Sequence, residues 1–481
     1  MQPIFIGLIQ IGINMKKFTV SAIAMALIAV FPTVSQAETD LSKIEARLQA
    51  LEKRAEQAEL RAAAAEHKAQ QLEQIMASKN VSTQVTQSAL SPKSEPLKTS
   101  KPAVGVQYNH EYGELKLYGD VEFNMDAASR KGQITSIRTA LGKDKEPNKS
   151  DNWDINGRIL IGLDGKHTKD NGNYAGFTVQ PLADMTGKMN LDDAAFYFGQ
   201  QNHWEAKIGR YEAYDMFPLG QDTFIQYSGN TANDLYGDGF GYIYMMKEGR
   251  GRSGDGGSVQ LSKSLDDWYF EINALVEDGT SLFDSDTYHG YQLDNKKNVI
   301  YLRPVIAWQP NAFKIAAAME SQVINNAYGG AVDGKWQDMS KRNGYGMTLG
   351  WNTLEKDPDN GLQLTLSTAY LDATSEKDLS VGGYGLWRKL QLGYIFAHND
   401  IKDFNIDNIS ADSNSVLNRV PGKYDIHTVY TSYELPKILD LDNYKIYLGA
   451  YYSRINADNQ NMVSGHDDDR YGFRARFKYF F

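Results

Sequence analysis

The sequence predicts an all-β transmembrane barrel of about sixteen antiparallel strands, or about eighteen on a looser reading of the boundaries, preceded by an α-helical coiled coil. Three observations predict it. Short segments with period-two alternation recur from residue 106 onward, aromatic side chains sit at the segment ends, and the chain finishes on "RYGFRARFKYFF". In that last stretch Tyr471, Phe473, Ala475, Phe477, Tyr479 and Phe481 share one strand face, and Arg470, Gly472, Arg474, Arg476, Lys478 and Phe480 share the other. In water such a strand is an aggregation hazard. With hydrocarbon on one side and water on the other it is at home.

Composition sets the limits. The chain has 481 residues, 42% hydrophobic and 11% aromatic, with 42 Gly, 29 Tyr, 13 Pro and no Cys. A mean hydropathy of -0.49 leaves no room for a bundle of transmembrane helices, which need runs of roughly 20 apolar residues. The net charge of -10 argues against a nucleic-acid partner, since phosphate binding needs a basic face. Without Cys there are neither disulfides nor thiolate metal sites, which suits a chain that crosses an oxidising compartment unfolded. The eight His are scattered with no His-x-x-x-His helix, and neither a metal site nor a cofactor is expected.

The N-terminus is an address. "MKKFTVSAIAMALIAVFPTVSQAE" begins at Met15 with a basic pair, Lys16 and Lys17. An apolar run from Phe18 to Val34 comes next, and then a small-x-small cleavage site, Ser35-Gln36-Ala37. These are the three parts of a secretory signal peptide. Residues 1–37 are therefore read as the signal, residues 1–14 as the product of a spurious upstream start, and the mature chain is expected to begin at Glu38.

Residues 38–76 switch to a heptad. Leu41, Ile44, Leu48, Leu51, Ala55, Ala58, Ala62, Ala65, Ala69, Leu72 and Met76 occupy a and d. Glu45, Glu52, Glu59, Glu66 and Glu73 occupy e, and Arg47, Arg54, Arg61 and Lys68 occupy g. Each g residue therefore meets an opposite charge at e of a neighbouring helix. The pattern predicts a rod about 50 Å long in the periplasm. Residues 77–105, rich in Ser, Lys, Thr and Pro without an apolar period, read as a flexible linker.

Residues 106–481 carry the strands. "ELKLYGDVEFNMD" sets Leu115, Leu117, Val121, Phe123 and Met125 against Lys116, Tyr118, Asp120, Glu122 and Asn124. "WDINGRILIGLDG" sets Trp153, Ile155, Ile159, Ile161 and Leu163 against Asp154, Asn156 and Arg158. Further segments span 268–278, 299–308, 313–321, 344–352, 362–372, 386–397 and 444–453. Trp153, Trp268, Trp308, Trp351, Tyr370 and Tyr444 at segment ends suit an interfacial girdle. A soluble sandwich or propeller would lack that girdle, and no blade-like repeat is visible. Tyr118, Asp120, Glu122, Arg158, Arg474 and Arg476 are candidates for the lumen face. Phe481 is the candidate signal for the barrel assembly machinery.

The signal peptide, the coil and the opening strand "LKLYGDVEFNMD" together resemble the oligosaccharide glycoporins of Gram-negative outer membranes, in particular the raffinose type. "AKIGRYEAYDMFPLGQDTFIQ", Ala206 to Gln226, is similar to that family's strand leading into an inward-folded loop. The resemblance covers the barrel. The coil is similar to that of the sucrose porin in architecture only. The resemblance implies passage of di- and oligosaccharides across the outer membrane. General porins of this barrel size are trimers, so a homotrimer with a three-stranded coil is expected.

The residues from Gly209 to Met246 form a long stretch rich in Gly, Asp and aromatics, and loops of this length are usually functional. We expect it to fold into the lumen as a constriction. Asp215, Asp222, Asp234 and Asp238 would accept hydrogen bonds from sugar hydroxyls. Tyr211, Tyr214, Phe217, Phe224, Tyr227 and Tyr236 would stack on sugar faces, and Arg210 would serve as a fork donor. "GHDDDR" (465–470), "DGTSLFDSD" (278–286) and "GRGRSGDGG" (249–257) lack the spacing of metal or phosphate loops. The expected function is passive diffusion of neutral di- and oligosaccharides, with outer-membrane lipid as the surrounding partner. The rivals are a general diffusion porin, a tether between membrane and cell wall, and an outer-membrane enzyme, for which no Ser/His or paired-acid site is evident.

Overall fold

In the computed structural model, alternation becomes a wall with two chemistries. The structure describes residues 105–129, 152–218, 220–221, 243–246, 256–283, 287–288, 291–403, 405–407, 422–457 and 468–481. The expected signal peptide and coiled coil, and the linker up to residue 104, lie outside these residues.

The strands, in chain order, are β1 (Val106–His110), β2 (Gly113–Ala128), β3 (Asn152–Thr168), β4 (Asn173–Asp184), β5 (Met189–Gln200), β6 (Trp204–Arg210), β7 (Gly257–Leu265) and β8 (Trp268–Glu277). They continue with β9 (Thr287–Tyr288), β10 (Tyr291–Gln292), β11 (Asp294–Asn295), β12 (Val299–Trp308), β13 (Phe313–Gln322), β14 (Tyr328–Val332), β15 (Lys335–Asp338) and β16 (Arg342–Asn352). The last are β17 (Leu362–Ala373), β18 (Glu376–Trp387), β19 (Leu390–Ile401), β20 (Gly422–Leu435), β21 (Tyr444–Ala457) and β22 (Asp468–Phe480).

Seventeen strands form one sheet, and all of them except β1 make a closed antiparallel ring of sixteen. The ring shuts where β2 bonds to β3 on one edge and to β22 on the other. Closure leaves no unpaired backbone edge, which is what lets such a sheet stand in lipid. β1 pairs with the start of β2, Val106 opposite Leu117, just below the place where β22 ends. The first and last strands thus share one edge of β2. β9 with β10, and β11 with β14 and β15, form two small sheets outside the ring.

Inward and outward faces separate cleanly. On β12, Val299, Tyr301, Arg303, Val305 and Ala307 are buried, whereas Pro304, Ile306 and Trp308 are exposed. The exposed row is apolar around the ring, through Ile272, Ile306, Ile315, Leu366, Leu392 and Phe473 among others. This is the lipid-facing side of a transmembrane barrel. Connections at one end are short, as at 201–203, 266–267 and 388–389. At the other they are long, as at 211–256, 278–298 and 402–421. Short turns mark the periplasmic end of such barrels.

Two local departures have physical causes. The segment 386–397, expected as one strand, contains a two-residue turn. Arg388 sits at φ 54 and separates β18 from β19, although no Gly, Pro or Asn advertises it. Between β4 and β5 the register shifts at Val179/Pro181, as suits a proline that has no N–H to give the ladder.

Candidate functional site

The site begins just after the short strand β6. Residues 211–218 and 220–221 turn inward and run around the inside of the ring. The Tyr214 N–H donates to Glu271 Oε1 of β8 at 3.3 Å, and Arg303 of β12 donates to the Tyr214 carbonyl at 3.4 Å. Lys314 Nζ of β13 donates to the Asp215 carbonyl at 2.7 Å and lies 4.6 Å from the Tyr214 ring centre. Thr348 Oγ1 of β16 donates to the Met216 carbonyl at 2.5 Å. Phe217 meets Tyr384 of β18 edge-on at 5.9 Å. Finally Gln221 takes Ser432 Oγ of β20 at 2.5 Å and gives its N–H to Gln391 of β19 at 2.9 Å.

Residues 243–246 lie against the same wall. Ser380 Oγ donates to the Tyr244 carbonyl at 2.5 Å. Gly344 is where this needs glycine, because any Cβ there would overlap the Tyr244 hydroxyl. The described parts of the loop therefore hang from polar side chains of nearly every ring strand from β8 to β20. Each bond of this kind contributes about 1 kcal/mol net, so the loop is held by their number rather than by any one.

Opposite this arc, β2, β3 and β22 carry a ladder of opposed charges. Arg474 grips Asp126 with two bonds of 2.6 Å. Arg476 Nε donates to Asn124 at 2.9 Å, and its guanidinium lies 3.3 Å from Glu122. Lys478 reaches Glu122 at 3.3 Å, and Arg158 lies 3.7 Å from Asp120. The antiparallel register, Glu122 opposite Arg158 on one side and Lys478 on the other, creates these pairs directly.

Below the loop the inward face of β2 to β6 mixes phenols with acids. The Tyr118 hydroxyl donates to Asp164 at 3.1 Å, and Asp164 also takes Thr178 Oγ1 at 2.6 Å. The Tyr174 hydroxyl donates to Glu205 at 2.9 Å, with Lys166 lying 4.5 Å from its ring centre. Tyr197 stands 6.2 Å from Tyr174. These rings are only half-buried, so their faces meet the lumen.

The predicted residues fall into three groups. Tyr118, Asp120, Glu122, Arg158, Arg474 and Arg476 stand on the inward face, as described. Tyr211, Tyr214 and Phe217 are 1%, 5% and 1% exposed. They pack on the wall and anchor the loop, so the stacking role expected of them is corrected: a fully covered ring offers no face to a solute. Arg210 Nε donates to the carbonyls of Leu191 and Asp192 at 3.0 and 2.8 Å, holding the end of β5. Asp215 is half-buried, and its Oδ1 takes the Phe217 N–H at 2.9 Å. Asp222, Phe224, Tyr227, Asp234, Tyr236 and Asp238 lie outside the described residues.

Sequence reasoning missed Asp164, Tyr174, Tyr197 and Glu205. The signal was present as alternation in "NYAGFTVQPLAD" and "MNLDDAAFYFGQ", but Pro181 and the Asp pair obscured these strands. Phe481 seats on the seam. Its backbone exchanges hydrogen bonds of 2.8 and 3.0 Å with Gly119, and a Gly119 Cβ would come 2.5 Å from its ring. Phe480 points inward, with Lys478 Nζ 5.4 Å from its ring centre. At the long-loop end, Asp338 is held below the ordinary carboxylate range. Burial pushes its pKa upward, but hydrogen bonds from Ser340 and Asn326 and the Lys297 charge outweigh that.

The sequence profile of the family described as porin-like glycoporin RafY matches residues 117–481. Among solved structures, the chain is similar to OmpF of Salmonella typhi in complex with daunomycin, at 12% identity and a TM-score of 0.46, over 78% of this chain and 100% of that one. It is similar to the outer membrane channel DcaP of Acinetobacter baumannii at 14% identity and 0.45, over 78% and 99%. It is also similar to an anion-selective porin from Comamonas acidovorans at 12% and 0.41, over 77% and 100%. No curated protein matches the chain.

Proposed function

This chain belongs to the porin-like glycoporin RafY family, a porin of the outer membrane, and from that premise we propose that it passes neutral di- and oligosaccharides by passive diffusion. The observation that carries the reading is the half-buried phenol and carboxylate surface of Tyr118, Asp164, Tyr174, Tyr197 and Glu205. Sugars present apolar ring faces and outward hydroxyls, which aromatic faces and acidic acceptors match together. Several weak contacts in series let a sugar both enter and leave. The loop 211–246 narrows the passage, with Asp215 and the acids after it as further acceptors. A homotrimer with a three-stranded periplasmic coil, built with Phe481 as the signal to the assembly machinery, completes the proposal.

Liposome swelling tests it. Disaccharides and trisaccharides should enter faster than a charged solute of equal size, and Tyr174→Ala with Tyr197→Ala should slow the trisaccharide most. Equal rates for charged and neutral solutes would instead favour a general diffusion porin. That second reading draws on the ladder of Arg158, Arg474, Arg476 and Lys478 facing acids across the lumen wall.

A further inference from the structure

On the inward wall below the loop, two tyrosines stand directly opposite glycines of a neighbouring strand. Tyr118 of β2 faces Gly162 of β3, and Tyr197 of β5 faces Gly176 of β4. A Cβ at Gly162 would lie 2.3, 2.4 and 2.8 Å from Cζ, Cε2 and Cε1 of Tyr118. Near-equal distances to three ring atoms put that point over the face of the ring and not at its edge. At Gly176 a Cβ would lie 2.6 and 2.7 Å from Cζ and Cε2 of Tyr197. Each ring therefore lies on bare backbone, the arrangement in which an aromatic side chain covers a glycine of a sheet. A glycine inside a strand otherwise costs stability. Hydrogen bonds fix the first ring in its seat. Gln180 Nε2 donates to the Tyr118 hydroxyl at 2.8 Å, and that hydroxyl donates to Asp164 at 3.1 Å.

The same device recurs at Tyr430 over Gly393 and Tyr451 over Gly472, but those rings are 4% and 9% exposed and keep no open face. Tyr118 and Tyr197 are only half-buried, so the side turned away from the glycine is open to the lumen. Lys116 Nζ, 5.4 Å from the Tyr118 ring centre, ends a flexible chain that a solute can push aside. Depth separates these rings from the loop. Tyr118 is two residues short of Asp120, which pairs with Phe480 at the short-turn end. Tyr197 is level with Lys207, three residues or about 10 Å before β6 ends and the loop departs. Both rings thus stand on the short-turn side of the loop. Resting on the sugar reading above, we propose that Gly162 and Gly176 are positioning residues that seat Tyr118 and Tyr197 as a flat platform for a pyranose ring on the exit side of the loop. A pyranose carries a fixed face of C–H groups that matches an aromatic face. An open-chain polyol of equal size and charge has no such face, so the platform selects ring sugars by shape.

The test uses the full chain in planar bilayers, with maltose and its alditol maltitol as blocking solutes. The two are uncharged and nearly equal in size, but maltitol keeps one pyranose and opens the other. Maltose should block the parent's current about fivefold more strongly than maltitol. Gly162→Ala should bring the two solutes to equal block, as Tyr118→Ala does, because the three atoms nearest the new Cβ all belong to the Tyr118 ring. Tyr118→Phe, which keeps the ring, should keep the preference. In the Tyr118→Ala chain, Gly162→Ala should change nothing further, a non-additivity that a merely structural glycine would not show. Maltose added to one side of the parent at a time should give more frequent blocking events from the short-turn side. Equal block of the parent by both solutes overturns the platform and leaves the sugar reading standing, whereas no block by either overturns both. A preference retained in Gly162→Ala overturns the proposal, as do events at least as frequent from the long-loop side. Should Gly162→Ala fail to fold into a heat-modifiable barrel, Tyr118→Ala against Tyr118→Phe and the two-sided comparison in the parent decide.

Discussion

Arg474 shows how much one side chain can hold in this wall. It is 1% exposed and bound twice to Asp126 across the β2–β22 seam. Removing one partner of a buried pair leaves the other charge without compensation, at a cost on the order of 3 kcal/mol. Arg474→Ala should therefore lower the temperature at which the folded band converts to the unfolded one in gel electrophoresis. Arg476→Gln should in addition shift the reversal potential in planar bilayers toward cation selectivity, since Glu122 and Asp120 remain. An unchanged reversal potential would take Arg476 out of the ion path. At the seam itself, Gly119→Val puts atoms where the Phe481 ring sits. It should reduce the yield of folded barrel as strongly as Phe481→Ser does, measured by outer-membrane levels. If Phe481→Ser alone reduces the yield, the terminal ring acts through assembly and not through its seat on Gly119.

At the scale of elements, strands were legible in proportion to how sharply one face is apolar. β12 spans Val299–Trp308, the same bounds that alternation predicts. β4 and β5 were obscured because their outward residues include Ala175 and Pro181, which give little contrast, and because the ladder slips between Val179 and Pro181. The turn at Arg388 was hidden because a left-handed residue without Gly or Asn leaves no mark in sequence. The inward turn of residues 211–218 after β6 was foreseeable from the length and composition of the stretch, but the jobs of its side chains were not. A sequence cannot tell a ring that lines a passage from a ring that fastens a loop. The fastening can be undone selectively. Thr348→Val and Ser380→Ala each remove one donor to a loop carbonyl. Together they should loosen the loop and raise single-channel conductance or its noise, with the barrel's thermal stability little changed. Quiet currents at the parent conductance would show that the remaining anchors suffice.

Over the whole molecule, closure is the step on which everything else depends, and it is made within the strands themselves. β2 meets β22 from Asp120–Phe480 to Ala128–Gly472, and Phe481 finishes the edge that β1 continues. None of these contacts uses a residue before Gly105. On the proposed reading, the heptads of residues 41–76 join subunits as a coil, a task distinct from building the pore. The two functions are thus separable on physical grounds. A chain beginning at Gly105 should refold in detergent into a heat-modifiable barrel whose single-pore conductance equals the parent's. Its trimer should dissociate at lower temperature or lower protein concentration, as sedimentation velocity can track, because the effective concentration supplied by the coil is gone. Should the shortened chain give a trimer as durable as the parent's, the coil's work lies elsewhere. Envelope integrity in cells that produce the shortened form then becomes the readout, and leakage with sugar uptake intact would assign residues 41–76 to tethering rather than to subunit assembly.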